Sequence, residues 1–376
     1  NERFYLIENM DDIPPFFISV VSNSDHWLFV SSTGGLTAGR VSPDTPLFPY
    51  ETVDKIHDSA LNTGCKTLIS IKNSDQQRVI WEPFNKEHNG RFETTRNIYK
   101  NVLGNKLCFE EINHDLDLAF SYTWSTSDEF GFVRSCQLNN LADDSRDVEI
   151  IDGMQNILPA GTPRFTQTNS SNLVDAYKWT ELDENSRLAY FTLYSGITDR
   201  AEPCESLKAN TVFSLGLPNA KILLSNEQLD NFRKGIVLKQ DQIKRGIRGA
   251  YLINSVLNLS ANSVQSWCFV ANIEMGQQQV VALSQKITTS VHLEDDIQLS
   301  VDDGSDALAR IIAGADGMQL TAEENVSAHH YANVLFNVLR GGIFDEQYLV
   351  CCQDFAKNIA LFNDAVYQQH LAFFTR

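Results

Sequence analysis

The chain has 376 residues, 43% hydrophobic and 21% charged, with 48 acidic against 30 basic side chains and a formal net charge of −18. That length suits one very large domain or two to three ordinary ones. The acid surplus argues against nucleic acid, which needs clustered Lys and Arg to release counterions, and no apolar run approaches the ~20 residues of a membrane span.

In chain order, strand signals appear first at residues 16–22 and 27–32. A small-residue run, SSTGGLTAGR at 31–40, follows. It lacks the Gly-Lys-Ser/Thr ending of a phosphate loop and the G-x-G-x-x-G spacing. A hairpin turn is therefore expected, with Arg40 beside it as a guanidinium able to grip an anion or close a surface ion pair. Residues 43–58 then collect Asp44, Tyr50 and His57 in a segment too Pro-rich for regular structure. Aromatics mixed with carboxylates suit sugars, whose apolar ring faces stack while their hydroxyls bond polar groups. Long loops of this kind are often functional.

Strands continue at 66–72 and 78–81, the second ending on Trp81, a surface candidate for stacking. Residues 116–124 alternate apolar and polar side chains without a break, the mark of a half-buried strand. With 106–113 they read as a hairpin through Asn113, His114 and Asp115. Further strands are expected at 132–138, 147–152, 188–195, 211–217, 250–259 and 265–274. Trp124 and Trp267 lie in alternating strands and are expected in the core. More than a dozen antiparallel strands without intervening helices point to two large stacked sheets.

Near Gly276 the period changes. Helices are expected at 277–291, 306–316, 322–339 and 345–374, with Ser305 and Thr321 as N-caps and Gly341–Gly342 as a break. The last carries a four-and-three stripe of Tyr348, Cys352, Phe355, Ile359, Phe362, Val366 and Phe373, which needs something to cover it. A domain boundary falls near residue 300, giving a β-domain at 1–300 and a helical region at 301–376. The chain opens on Asn1 and closes on that helix, so it is expected to be a piece of a longer polypeptide.

Seven cysteines form no C-x-x-C pair. Cys108, Cys136 and Cys268 sit in strand patterns, and a reducing, cytoplasmic setting is expected. The acidic pairs Asp11–Asp12, Asp143–Asp144, Asp295–Asp296 and Asp302–Asp303 occupy turn-like contexts and read as solvated. His329 and His330 are neighbours and do not share a helix face, so no metal is expected. No catalytic set emerges.

Several stretches resemble the N-terminal portion of large bacterial proteins akin to cellobiose phosphorylase. They are GGLTAGR at 34–40, RNIYKN at 96–101, WSTSDEFGFVR at 124–134, LNNL at 138–141 and DGMQNILP at 152–159. ADGMQ at 315–319 and AHHYANVLFN at 328–337 are similar to the helical linker of those proteins. The resemblance implies a galactose-mutarotase-like β-supersandwich followed by a linker to an (α/α)6 barrel, with the catalytic acid and phosphate pocket in the barrel. It implies a non-catalytic domain of a glycoside phosphorylase or hydrolase, acting on an oligosaccharide and supporting its own barrel and a homodimer. No cofactor is expected beyond inorganic phosphate for the parent enzyme. Arg40, Asp44, Tyr50, His57 and Trp81 are the expected sugar contacts. A stand-alone mutarotase or epimerase, needing an imidazole and a carboxylate across a cleft, and a carbohydrate-binding module remain the alternatives.

Overall fold

The structure is a computed structural model that describes residues 2–72, 77–196, 207–340 and 350–374. The chain divides into two compact units, Asn1–Gly304 and Ser305–Arg376.

The first unit is antiparallel β-structure. Its ten-stranded sheet runs, in lateral order, Phe4–Ile7, Thr94–Asn101, Leu107–Asn113, Leu118–Ser127, Gly131–Asn140, Val264–Gly276, Lys208–Leu215, Leu188–Leu193, Lys178–Asp183 and Ile243–Arg245. A five-stranded sheet (Lys221–Leu223, Gly249–Leu259, Arg146–Ile157, Gly64–Lys72, Arg78–Trp81) and a four-stranded one (Phe17–Val20, His26–Ser31, Leu36–Arg40, Pro46–Phe48) complete it. The layer facing the large sheet is thus divided, where two sheets were expected. All three share one apolar cluster. Alternate residues Phe120, Tyr122 and Trp124 of one strand meet Ile150, Tyr251 and Ile253 of the five-stranded sheet and Leu28, Val30 and Leu36 of the four-stranded one. Burying each such large side chain contributes ~1.5–3 kcal/mol before chain entropy is counted. Trp124 and Trp267 lie in this cluster, as their alternation predicts.

Both outer faces are also covered. Leu229 and Phe232 of the helix Glu227–Arg233 pack on Leu68, Ile151 and Leu252 behind the five-stranded sheet. Leu293, Ile297 and Val301 pack on Val133, Phe213 and Val270 behind the ten-stranded one.

The turn expected at residues 31–40 is a hairpin turn, as the sequence predicts, and its second half continues as the strand Leu36–Arg40, because Leu36 and Ala38 are buried against the core. Several local expectations are corrected. The Pro-rich segment contains the strand Pro46–Phe48 and the helical turn Val53–Ile56. A fourteen-residue helix, Arg164–Tyr177, interrupts the strands.

The second unit holds the helices Glu324–Leu339, Cys352–Phe362, Asp364–Gln369 and Leu371–Phe374. Ser305 is not a cap, since the helix Leu293–Gly314 runs through it. The N-cap of Glu324–Leu339 is Glu323 rather than Thr321. Over the described residues 350–374 the expected single terminal helix is three pieces. Asn363 adopts φ −156° and its side chain accepts from the Val366 amide, ending one helix and capping the next. Phe355, Phe362 and Phe373 of the stripe are exposed. Gly341, Gly342, Asp345, Tyr348 and Cys204 lie outside the described residues. Gly317 earns its place in ADGMQ, because a Cβ there would crowd Ile312 and Val334. Among the described residues no helix is long and apolar enough to cross a membrane.

Candidate functional site

A cleft of about 410 Å³ opens in the first unit between the turn Thr33–Gly34, the segment from His57 to Leu61 and the loop from Glu82 to Glu87. Cys65, Lys66 and Thr67 of the strand Gly64–Lys72 form its floor with Tyr122. The Gly-rich run builds one wall. A Cβ on Gly35 would collide with the carbonyl oxygen of Ile56, so only glycine lets the helical turn lie against the hairpin. Ser31 Oγ sits 2.6 Å from His57 Nδ1, and Thr33 Oγ1 donates to the His57 carbonyl at 3.0 Å. These bonds tie the imidazole to the hairpin turn.

The opposite wall hangs on one buried carboxylate. Glu111 accepts from Trp81 Nε1 at 2.6 Å, from the Phe84 amide at 2.5 Å and from Arg96 Nε at 2.6 Å. Arg96 also donates to Asp11 at 2.8 Å and to Asn89 Oδ1 at 2.9 Å. Phe84 is held at φ +63°, a region bulky residues avoid. Its ring lies nearly perpendicular to that of Tyr122, 5.4 Å between centroids. Glu82, 3% exposed, pairs with Lys66 and, at 3.3 Å, with Arg233. Burial alone would raise its carboxyl, but Lys66 and Arg233 outweigh it and hold the group below the usual glutamate value.

A second cleft, about 730 Å³, is lined by Tyr50, Glu51, Lys55, Asp58, Arg164, Asp175, Lys178 and Arg248. Asp44 accepts from the Arg164 amide at 2.9 Å, and the Arg164 guanidinium lies 5.9 Å from the Tyr50 ring centre. Lys178 pairs with Asp175 at 2.7 Å, and burial lowers the Lys178 ammonium although Asp175 opposes the shift. Burial also raises the Glu51 carboxyl. Asp58 borders both clefts.

The expected sugar contacts are therefore dispersed. His57 lines the first cleft; Tyr50 lines the second, and Asp44 orders its Arg164. Arg40 belongs to neither and closes an ion pair with Asp25 at 2.8 Å. Trp81 is corrected outright. It is 1% exposed and its N–H is spent on Glu111, so it has no face for a sugar. The stretch was informative but the residue was not: three positions on, Phe84 faces the cleft. Glu82 and Asn85 carried no signal beyond a Pro-containing turn after a strand, and Lys66 none beyond its place in the strand read at 66–72. His114 bonds Thr95 Oγ1 at 2.8 Å, and His330 bonds the Asp316 carbonyl at 2.7 Å. Among the described residues no three His, Cys, Asp or Glu side chains gather as a metal site.

No protein-family model matches the chain, and no curated protein sequence matches it. Solved structures to which it is similar include a bacterial glucoamylase complexed with acarbose, at 8% identity and a TM-score of 0.40, over 83% of this chain and 41% of that one. Another is a galactose mutarotase-like protein from Clostridium acetobutylicum, at 9% identity and a TM-score of 0.36, over 72% of this chain and 98% of that one. The chain thus spans about two fifths of the length of the glucoamylase it matches.

Proposed function

We propose that the first unit is the saccharide-binding, non-catalytic supersandwich of a glycoside phosphorylase or hydrolase, and that its cleft between His57 and Phe84 forms part of the sugar site. A catalytic (α/α)6 barrel of the same polypeptide, inorganic phosphate as its co-substrate and a homodimer belong to this reading. The observation that carries it is the make-up of the cleft. An aromatic wall at Phe84 faces hydrogen-bonding groups on His57 and Asp58, with Lys66 on the floor and Asn85 on the same loop as the ring, the combination of apolar surface and few placed polar groups that small-molecule sites use. Glu82 is poorly suited to donate a proton at neutral pH, because two cations keep it ionised. That argues against a general-acid role for Glu82.

Calorimetric titration of the chain with gluco-oligosaccharides tests the proposal. Saturable binding that weakens in His57→Ala and Asn85→Ala supports it, and heats equal to dilution for every saccharide overturn it. A second reading has one observation in its favour: His57 and Glu82 line the same cleft, the residue types a mutarotase needs. Polarimetry of freshly dissolved α-glucose and α-galactose decides between them, since a mutarotase speeds the drift in rotation and a binding domain leaves it unchanged.

A further inference from the structure

The two walls of the first cleft differ in what they offer, and the difference specifies a ligand class. Charged lining groups are Asp58, Glu82 and Glu87 against Lys66 and Lys86. Lys66 is already committed to Glu82, which leaves Lys86 among the lining cations set against the two carboxylates of Asp58 and Glu87, a balance that does not favour a carboxylate or phosphate. Asp58 and Glu87 would instead repel one. The apolar element is Phe84, whose backbone sits in the left-handed region at φ +63°. Strain of that kind persists only where surroundings enforce it. Here Glu111 does so through the Phe84 amide, at 2.5 Å, while its other oxygen takes the Trp81 N–H. Phe109, Phe120 and Tyr122 flank the ring on the core side. The ring is half-buried and contributes the rest of its surface to the cleft.

We infer that this cleft selects an uncharged pyranoside and that Phe84 is the platform on which the sugar's apolar face rests. The inference rests on the saccharide-binding reading above and narrows it to neutral sugars and one stacking residue. Hydroxyl groups then meet His57 and Asp58 on the facing wall and Asn85 beside the ring on its own loop, which donate and accept without requiring a ligand charge.

The test compares cellobiose and maltose with a glucuronic-acid disaccharide and glucose 1-phosphate by calorimetry on the full chain. Neutral sugars are expected to bind at least about tenfold more tightly than either anion, and Phe84→Leu to weaken them about tenfold while Phe84→Tyr retains binding. Saturation-transfer NMR on the unsubstituted protein covers the case in which Phe84→Leu does not fold. Irradiation of aromatic protons should reach the axial C–H protons of the bound sugar. Anions binding as well as neutral sugars overturn the assigned class and leave the saccharide reading standing. Undiminished binding by folded Phe84→Leu, or transfer absent from the axial protons, overturns the platform. If no saccharide of either charge binds, this inference and the reading beneath it both fall.

Discussion

Arg134 and Asp152 face each other in the middle of the first unit with neither side chain exposed, the guanidinium reaching both carboxylate oxygens at 2.9 and 3.0 Å. Thr67 Oγ1 donates to the same carboxylate at 2.6 Å and Trp267 Nε1 at 2.7 Å. Tyr122 lies beneath the guanidinium, 4.7 Å from ring centre to carbon. Arg134 ends the WSTSDEFGFVR stretch and Asp152 begins DGMQNILP, so two of the motifs behind the family resemblance meet as an ion pair that ties the ten-stranded sheet to the five-stranded one.

Breaking that pair from one side is expected to be severe. Arg134→Met leaves a buried carboxylate with no counter-charge, and removal of one partner of a buried pair costs ~3–5 kcal/mol. Replacing both, as Arg134→Met with Asp152→Leu, removes the stranded charge and should cost less than the two single changes added together. Urea unfolding of the four proteins measures both quantities. A single variant as stable as the parent would show that the two sheets do not depend on this contact.

How much of this was legible follows from where each interaction is encoded. The hairpin built on 116–124 is local, and its alternation gives both strands and their inward face. Pairing of Arg146–Ile157 with Gly64–Lys72 joins segments some eighty residues apart, and no local pattern specifies that or the division of the second layer. The helix Arg164–Tyr177 escaped notice because Thr, Asn and Ser are weak helix formers, and it is non-helical at Ser170. Within the site, His57 could be found because an unusual loop carries it. Phe84 and Glu82 could not, since their roles depend on Glu111, Lys66 and Arg233 brought in from other strands and a helix.

His26 sets a pH dependence in the mildly acidic range. Its side chain is fully buried, edge-on to Phe132 at 5.0 Å. Burial chiefly, then Arg40, lowers its pKa from 6.5 to about 4, against Asp25 and Asp128, which act the other way. The unfolded chain therefore binds a proton between pH 6.5 and about 4 that the folded chain does not. Stability present above 6.5 is lost as pH falls through that window, by up to about 3 kcal/mol. In His26→Asn the unfolding free energy should be flatter from pH 6.5 to 4, and an unchanged slope there would exclude His26 as its source.

Glu82 acts lower on the same scale. Its folded pKa lies below the ordinary 4.5, so its contribution is complete above that value and disappears as pH falls through the folded one. Glu82→Gln should flatten the stability curve only below about pH 4.5, leaving the part of the His26 window above that value untouched. Separate effects of the two variants in unfolding curves at pH 3.5 and 5.5 test this.

Gly131, which opens the strand Gly131–Asn140, is expected to be intolerant of any side chain. Its φ is +93°, and a Cβ would collide with the carbonyl oxygen of Ala271 on the neighbouring strand. Backbone strain and a clash with fixed backbone add, so Gly131→Ala should cost more than the ~1 kcal/mol about which point substitutions centre. Chemical unfolding measures it.

Trp81 gives the sharpest contrast between a structural aromatic and a binding one. Trp81→Phe preserves most of the buried volume but removes the N–H that Glu111 accepts at 2.6 Å. Leaving one oxygen of that carboxylate without its donor should cost ~1–3 kcal/mol. The carboxylate still holds Arg96 at 2.6 Å and the Phe84 amide, so the cleft wall keeps two of its three anchors. Trp81→Phe is therefore expected to lower the unfolding midpoint while saccharide affinity at saturating fold stays within about twofold. Phe84→Leu should show the reverse balance, with affinity falling more than stability. A Trp81→Phe protein that is fully stable yet fails to bind sugar would place the indole, against its 1% exposure, in direct contact with the ligand.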